Sequence, residues 1–172
     1  MPEVPRAHWS RWLLLSAAVA AADLATKAWV SAAFRPGDVH VITPFLNLVL
    51  WHNPGAAFSF LAGAGGWQRW FFVGVTLVVS VVLLAMLRKS GGNRLLAAAL
   101  ALVLGGAAGN LWDRLTLGHV VDVIQLHAAG YHWPAFNVAD SAITVGVLLI
   151  LWDGLREARA ARASPVRPGA RP

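Results

Sequence analysis

Two aspartates in apolar surroundings are the strongest candidates for chemistry in this sequence. Asp122 lies inside the β-branched run Val120–Ile124, and Asp140 follows Phe136-Asn137-Val138-Ala139 at the start of a long apolar segment. Two carboxyl groups held close together cannot both ionise comfortably, so such a pair tends to share one proton. The ionised member can take a proton from water while the protonated member polarises a carbonyl group. A pair of this kind is suited to peptide hydrolysis.

Each aspartate also has a simpler explanation. Asp122 could be a solvated loop residue, although its apolar flanks argue against that. Asp140 stands three residues after Asn137, which is the spacing of a capping box at the start of a helix.

Other polar residues are costly in an apolar chain unless they are paired or face water. Asp23 and Lys27 are four residues apart, so they share a helix face and are predicted to form a structural ion pair. Asn110, Asp113 and Arg114 fall within about one helical turn. They form either an interfacial Asp–Arg contact or a polar site wall, in which Arg114 would bind a carbonyl, a carboxylate or a lipid head group.

The composition is that of a membrane protein. Hydrophobic residues make up 58% of the 172 residues and charged residues 13%, against about 25% charged in a typical soluble domain. The net charge of +6 comes largely from basic residues beside apolar segments, which predicts a topology signal and no nucleic-acid binding. The absence of cysteine excludes disulfides, thiolate catalysis and cysteine metal sites.

Four segments are long and apolar enough to span a membrane. The predicted spans are residues 12–33, 70–87, 95–112 and 138–152, within a transmembrane domain over residues 1–153. The first resembles a cleaved signal peptide, but its apolar run resumes beyond Lys27, which favours a retained helix. Residues 154–172 form an Arg/Ala/Pro-rich tail that is predicted to be cytoplasmic, with the fourth helix continuing for a few turns before it frays.

Basic residues predict the orientation of these spans. They lie before the first span, between the second and third, and after the fourth: Arg6, Arg11, Arg88, Lys89, Arg94, Arg156, Arg159, Arg162, Arg167 and Arg171. The positive-inside rule then places both termini in the cytoplasm and the loops 34–69 and 113–137 outside. The polar residues at the end of the third span and the start of the fourth, together with Asp122, therefore share the outer interface. Their convergence there predicts one site.

The outward loops are predicted to carry a short β-sheet. Phe45–Trp51 and Val120–Ile124 are rich in strand-forming residues, and His52-Asn53-Pro54-Gly55 is typical of a turn. The predicted fold class is an all-α membrane protein with four transmembrane helices and a small extracytoplasmic β-sheet and loop region.

Five motifs, in order along the chain, resemble those of bacterial lipoprotein signal peptidases, also called signal peptidase II. They are Asp23-Leu24-Ala25-Thr26-Lys27, Asn53-Pro54-Gly55-Ala56-Ala57-Phe58-Ser59, Gly105–Arg114, Val120-Val121-Asp122-Val123 and Phe136–Ser141. The resemblance extends from the first span to the fourth. Any one motif alone is weak, whereas five in order are specific.

The resemblance implies an aspartic endopeptidase of the bacterial inner membrane that needs no metal or organic cofactor. Its implied substrates are prolipoproteins whose cysteine carries diacylglycerol, cut just before that cysteine at the extracytoplasmic face. The implied catalytic pair is Asp122 and Asp140. The implied site-lining residues are Asn53, Gly55, Asn110, Arg114 and Asn137, and the supporting residues are Asp23, Lys27 and Asp113. A monomer in contact with membrane lipids is expected.

Two other functions compete with this one. A metal-dependent hydrolase would use His119, His127 and His132, which share the outer loop with Asp122, but their spacing matches no strong ligand motif. A small transporter or channel subunit would need polar residues at several depths on facing helices. Here the polar residues cluster at one face, which argues against a path through the membrane.

Overall fold

The structure, a computed structural model, describes residues 9–55, 61, 63–90 and 92–163. Within these ranges four helices are long and apolar enough to cross a membrane. They are α1 (Trp12–Ala33), α2 (Gln68–Arg88), α3 (Arg94–Thr116) and α4 (Val138–Ala163), and a 3-10 turn at Trp9–Arg11 precedes α1. Four antiparallel strands pair in chain order: β1 (Val39–Thr43), β2 (Leu46–Asn53), β3 (Val120–Ala128) and β4 (Tyr131–His132). Four spanning helices and a small sheet confirm the predicted fold class.

α1 matches its predicted span, and the other three helices extend beyond theirs. α3 continues to Thr116 because the polar residues of its last turns are buried against neighbouring elements. α4 continues to Ala163 through a segment of Ala, Arg and Glu, which are strong helix formers. Several residues used in the sequence predictions lie outside the described residues: Arg6, Ala56, Ala57, Phe58, Ser59, Arg167 and Arg171.

α3 is the central helix of the bundle and packs against α1, α2 and α4. Its glycines permit the close approach. A Cβ atom at Gly105 would lie 2.6 Å from the Ser16 carbonyl oxygen of α1, and one at Gly106 would overlap the Ala139 carbonyl of α4. The glycine-rich end of the third span therefore serves helix packing, as small residues do in membranes.

Two apolar clusters define the two ends of the bundle. One contains Leu83, Leu87, Ala97, Leu100 and Val103, with Trp9 and Trp12 packed against it. The other joins Val30 at the end of α1 to Leu50, Val121 and Val123 of the sheet. The sheet is therefore seated at the end of the bundle where α1 and α3 end and where α2 and α4 begin.

The register of β2 corrects one prediction. The sequence predicted a turn that begins at His52, but β2 continues through Asn53. His52 pairs with Val121 and Asn53 pairs with Val120 of β3. The chain bends only at Pro54, which has no N–H to continue the pairing. The longer strand brings the Asn53 side chain to Asp122.

Candidate active site

A capping box at the start of α4 positions Asp140. The Asp140 N–H donates to Asn137 Oδ1 (2.8 Å), and the Asn137 N–H donates to Asp140 Oδ2 (3.3 Å). The capping explanation is therefore right, and it does not exclude a chemical role. The second carboxyl oxygen, Oδ1, accepts a hydrogen bond from Asn110 Nδ2 at 2.8 Å. Capping thus fixes one oxygen and leaves the other directed towards α3.

Asp122 is buried in β3, with 4% of its surface exposed. Its Oδ2 accepts a hydrogen bond from Asn53 Nδ2 (3.2 Å), and its Oδ1 accepts one from Asn137 Nδ2 (3.0 Å). The explanation of Asp122 as a solvated loop residue is therefore wrong. Strand β3 holds this carboxyl group among neutral amide donors.

Two asparagine amides connect the two carboxyl groups. Asn137 Nδ2 contacts both Asp122 Oδ1 (3.0 Å) and Asn110 Oδ1 (3.3 Å). Asn110 Nδ2 in turn donates to Asp140 Oδ1. The contacts thus lead from Asp122 in β3 to Asn137 at the start of α4. They continue through Asn110 in α3 to Asp140 in α4. The site therefore depends on segments that lie far apart in the sequence.

The protonation of Asp122 follows from this environment. Burial, with a contribution from the negative charge of Asp140, raises the pKa of Asp122 to about 7, although hydrogen bonds from Asn53 and Asn137 act in the opposite direction. Below about pH 7 this carboxyl group therefore keeps its proton. A protonated carboxyl beside a second carboxyl group is the arrangement that acid–base hydrolysis requires.

Lys27 is the centre of a buried ionic network behind the aspartate pair. Its Nζ lies 2.7 Å from Asp23 Oδ2, as the helical spacing predicted, and 2.9 Å from Asp113 Oδ2. It also donates to Asn110 Oδ1 at 3.0 Å. One ammonium group thus contacts two carboxyl groups and orients the amide that contacts Asp140.

The two carboxylates of this network also bind the backbone beside each candidate catalytic residue. Asp23 Oδ1 accepts the Ala139 N–H (2.9 Å), one residue before Asp140. Asp113 Oδ2 accepts the Val121 N–H (3.1 Å), one residue before Asp122. The network therefore links the segment before Asp140 to α1 and the segment before Asp122 to α3.

Arg114 points away from the predicted Asp113 contact. Its Nη2 donates to the Gly55 carbonyl (2.9 Å), and its guanidinium lies 5.0 Å from the centre of the Phe72 ring. Asp113 instead forms an ion pair with Lys27. The predicted contact between Asp113 and Arg114 is therefore wrong. Arg114 thereby holds the turn after β2 against α2 and α3.

These residues open onto one cleft of about 480 Å³. Its polar lining consists of Asn53, Asn110, Arg114, Asp122 and Asp140. Its remaining lining is mostly apolar and comes from β3, the segment after β4 and α4: Val120, Leu126, Trp133, Pro134, Ala135, Phe136, Ser141, Ile143, Thr144 and Val145. Sequence reasoning missed the wall at residues 133–136, where the only signal was a Trp-Pro dipeptide in an outward loop.

The outer-loop histidines form two separate pairs. His119 stacks on His52 with ring centres 4.1 Å apart, and His127 stacks on His132 at 5.4 Å. In the part of the chain that the structure describes, no three His, Asp or Glu side chains form a group that could hold a metal ion. Among residues 9–55, 61, 63–90 and 92–163, the metal-hydrolase alternative therefore has no ligand set.

A family model described as signal peptidase (SPase) II matches residues 15–156. The chain belongs to the signal peptidase II family. Two relatives of the family named lipoprotein signal peptidase come from Burkholderia mallei and Paraburkholderia phymatum. They are 50% and 49% identical over 151 residues, which is 88% of this chain and 91% of each relative. Membership in signal peptidase II makes the chain a membrane enzyme, so the transporter alternative is not retained.

A solved structure has a similar fold. It is described as a bacterial membrane enzyme determined by the in meso method at 2.3 Å resolution. It is 32% identical, matches with a TM-score of 0.81, and the match covers 92% of this chain and 95% of that chain. This chain therefore shares the fold of that membrane enzyme over nearly all of its length.

Proposed function

We propose that this chain is an aspartic endopeptidase that removes signal peptides from diacylglyceryl-modified prolipoproteins, cutting just before the lipidated cysteine. The observation that carries the proposal is the pair of carboxyl groups, Asp122 and Asp140, which line one cleft and are bridged by asparagine amides. The family match supplies the substrate class, since relatives at 50% identity are named lipoprotein signal peptidases.

The geometry supports a complete proton cycle. Asp122 donates its proton to the oxygen of the scissile carbonyl while ionised Asp140 takes a proton from water, whose oxygen attacks the carbonyl carbon. In the resulting diol, Asp122 takes back a hydroxyl proton and Asp140 delivers its proton to the nitrogen as the C–N bond breaks. Both carboxyl groups return to their starting states, so no cofactor takes part.

The cleft suits a substrate that stays partly in lipid. Ile143 and Val145 belong to spanning helix α4 and continue the cleft wall away from the aspartates. Acyl chains and the signal helix can remain in the apolar layer there while the scissile bond lies at the polar end. Arg114 and the asparagines position the peptide backbone or the ester groups, and such positioning supplies much of the rate.

The orientation forms part of the proposal. Arg11, Arg88, Lys89, Arg94 and Arg156 lie towards the end of the bundle opposite the sheet, at the helix ends that carry the first apolar cluster. The positive-inside rule places that end, with both termini, in the cytoplasm and the cleft at the extracytoplasmic face of the inner membrane. We propose a monomer as the active unit, since one chain brings both Asp122 and Asp140 to the same cleft.

The experiment that tests the function is cleavage by the purified chain in liposomes. A prolipoprotein carrying diacylglycerol on its cysteine should be cut to a product that begins with the lipidated cysteine, as mass spectrometry would show. The same prolipoprotein without the lipid is the matched control and should remain uncut. A chelator should leave the rate unchanged. Equal cleavage of both substrates would refute the proposed lipid requirement, and loss of activity with chelator would support a metal enzyme.

The pH dependence of the reaction follows from Asp122. Because its pKa is about 7, we expect kcat/KM to fall as the pH rises through about 7, since the group that protonates the carbonyl loses its proton. Above that point the fall should approach tenfold per pH unit, as for a single essential acid. The measurement is initial rates in liposomes at constant ionic strength. A profile that is flat from about pH 6 to about pH 9 would remove Asp122 from the role of acid.

A further inference from the structure

The outer edge of β3 is covered by the segment Tyr131–Phe136. Its first two residues are strand β4. Beyond them, the Trp133 N–H donates to the Leu126 carbonyl (2.8 Å), and Phe136 exchanges two hydrogen bonds with Ile124, each of 2.9 Å. Because β3 and β4 are the last strands in the sheet order, this segment forms the outer edge of the sheet.

Pro134 and Ala135 are the part of this edge segment whose backbone groups are not paired with β3. Proline has no N–H, and no hydrogen bond from another described residue reaches the backbone of Pro134 or Ala135. Both residues line the cleft that holds Asp122 and Asp140. The sheet therefore presents unpaired backbone groups beside the catalytic pair.

A substrate of the proposed function needs such groups. A peptide carbonyl inside a helix is occupied by the N–H four residues later, so the signal helix must unwind around the scissile bond before cleavage. At the membrane interface the released N–H and C=O groups require new partners. An unpaired sheet edge supplies them by strand addition, in which an extended peptide continues the sheet through backbone hydrogen bonds.

Resting on the proposed function, we propose that Pro134 and Ala135 form a strand-addition edge for the unwound part of the substrate. The Ala135 N–H donates to a substrate carbonyl, and a carbonyl of this dipeptide accepts a substrate N–H. The substrate binds extended across the cleft, with its scissile carbonyl held against the aspartates. Recognition by the backbone is independent of side-chain identity, so the edge binds many sequences that share the ability to unwind.

The first test uses the unaltered chain in liposomes. Its substrates are diacylglyceryl-modified peptides that each carry one backbone N-methyl group near the cut, which removes one N–H. We expect one or two positions to raise KM by about tenfold and the others to have little effect, since a single hydrogen bond is worth about that factor. A series in which no position raises KM would overturn the proposal.

The second test removes the donor of the enzyme. Ala135→Pro deletes the N–H of the edge and should raise KM by about fivefold to tenfold, with kcat changed by less than about twofold. Ala135→Ser keeps the N–H and is the matched comparison, and its KM should rise several-fold less than that of Ala135→Pro. A wild-type KM for folded Ala135→Pro would overturn the proposal. If Ala135→Pro does not fold, the N-methyl series decides.

Failure of this inference is distinguishable from failure of the proposed function. If Asp122→Asn is inactive and N-methylation has no effect at any position, the edge is wrong and the aspartic mechanism stands. If well-folded Asp122→Asn still cleaves substrate, the proposed function fails and this inference fails with it.

Discussion

Replacement of either aspartate by asparagine is expected to reduce cleavage by about 10³-fold or more, the scale of general acid–base catalysis. Asparagine has the shape of aspartate but cannot pass a proton, so Asp122→Asn loses the acid and Asp140→Asn loses the base. Cleavage of lipidated prolipoprotein in liposomes measures the loss. Asp38→Asn is the matched control because Asp38 lies outside the cleft, with 40% of its side chain exposed. Appreciable turnover by either folded variant would exclude the two-aspartate mechanism.

The stability of Asp122→Asn gives an independent check on the same pair. The folded chain holds the Asp122 proton up to about pH 7, whereas an unfolded aspartate releases it near its usual value of 3.8. The folded state therefore binds more protons between these values, and wild-type stability should fall as the pH rises across that window. Asp122→Asn removes this dependence. The melting temperature of Asp122→Asn minus that of the wild type should increase from about pH 4 to about pH 7 and then stay constant.

Lys27→Met is expected to destabilise the fold by about 3–5 kcal/mol, as loss of one partner of a buried ion pair does. Only 3% of the Lys27 surface is exposed, and its ammonium contacts both Asp23 and Asp113. Without it, two buried carboxylates face each other uncompensated, and the segments that carry Asp122 and Asp140 lose their fixed spacing. Thermal unfolding in detergent and cleavage in liposomes measure the two effects. Lys89→Met, at the exposed end of α2, is the control and should change neither.

A triple variant separates charge from shape. Lys27→Met combined with Asp23→Asn and Asp113→Asn removes all three charges. It leaves side-chain oxygens that can still accept the N–H groups of Ala139 and Val121. Most of the lost stability should return. If the triple variant is no more stable than Lys27→Met alone, uncompensated charge is not the cause of the destabilisation.

The sequence was sufficient to predict what depends on local pattern. Spanning helices follow from runs of apolar residues, and the Asp23–Lys27 pair follows from the four-residue spacing on one helix. The capping relation of Asn137 to Asp140 is equally local. Each of these is fixed by the few residues around it, which is why the structure agrees.

Other parts of the site depend on contacts between distant segments. Asp113 was expected to meet either its neighbour Arg114 or the cleft, and it meets Lys27, which is 86 positions away in the numbering. The chain of amides between Asp122 and Asp140 needs the exact seating of β3 on the bundle, which no local pattern encodes. The wall at residues 133–136 was missed because it contributes backbone and apolar surface, which carry no catalytic motif.

The hydrogen bond between Asp23 and the Ala139 N–H joins the first membrane helix to the last. A chain that enters the membrane from its amino terminus has α1, α2 and α3 in place while Asp140 is still to come. Asp122 then has no second carboxyl group beside it, and Asp23 Oδ1 still lacks the Ala139 N–H that it accepts in the folded chain. Under the proposed mechanism the chain therefore has no activity during its own synthesis and becomes active only when its final helix docks.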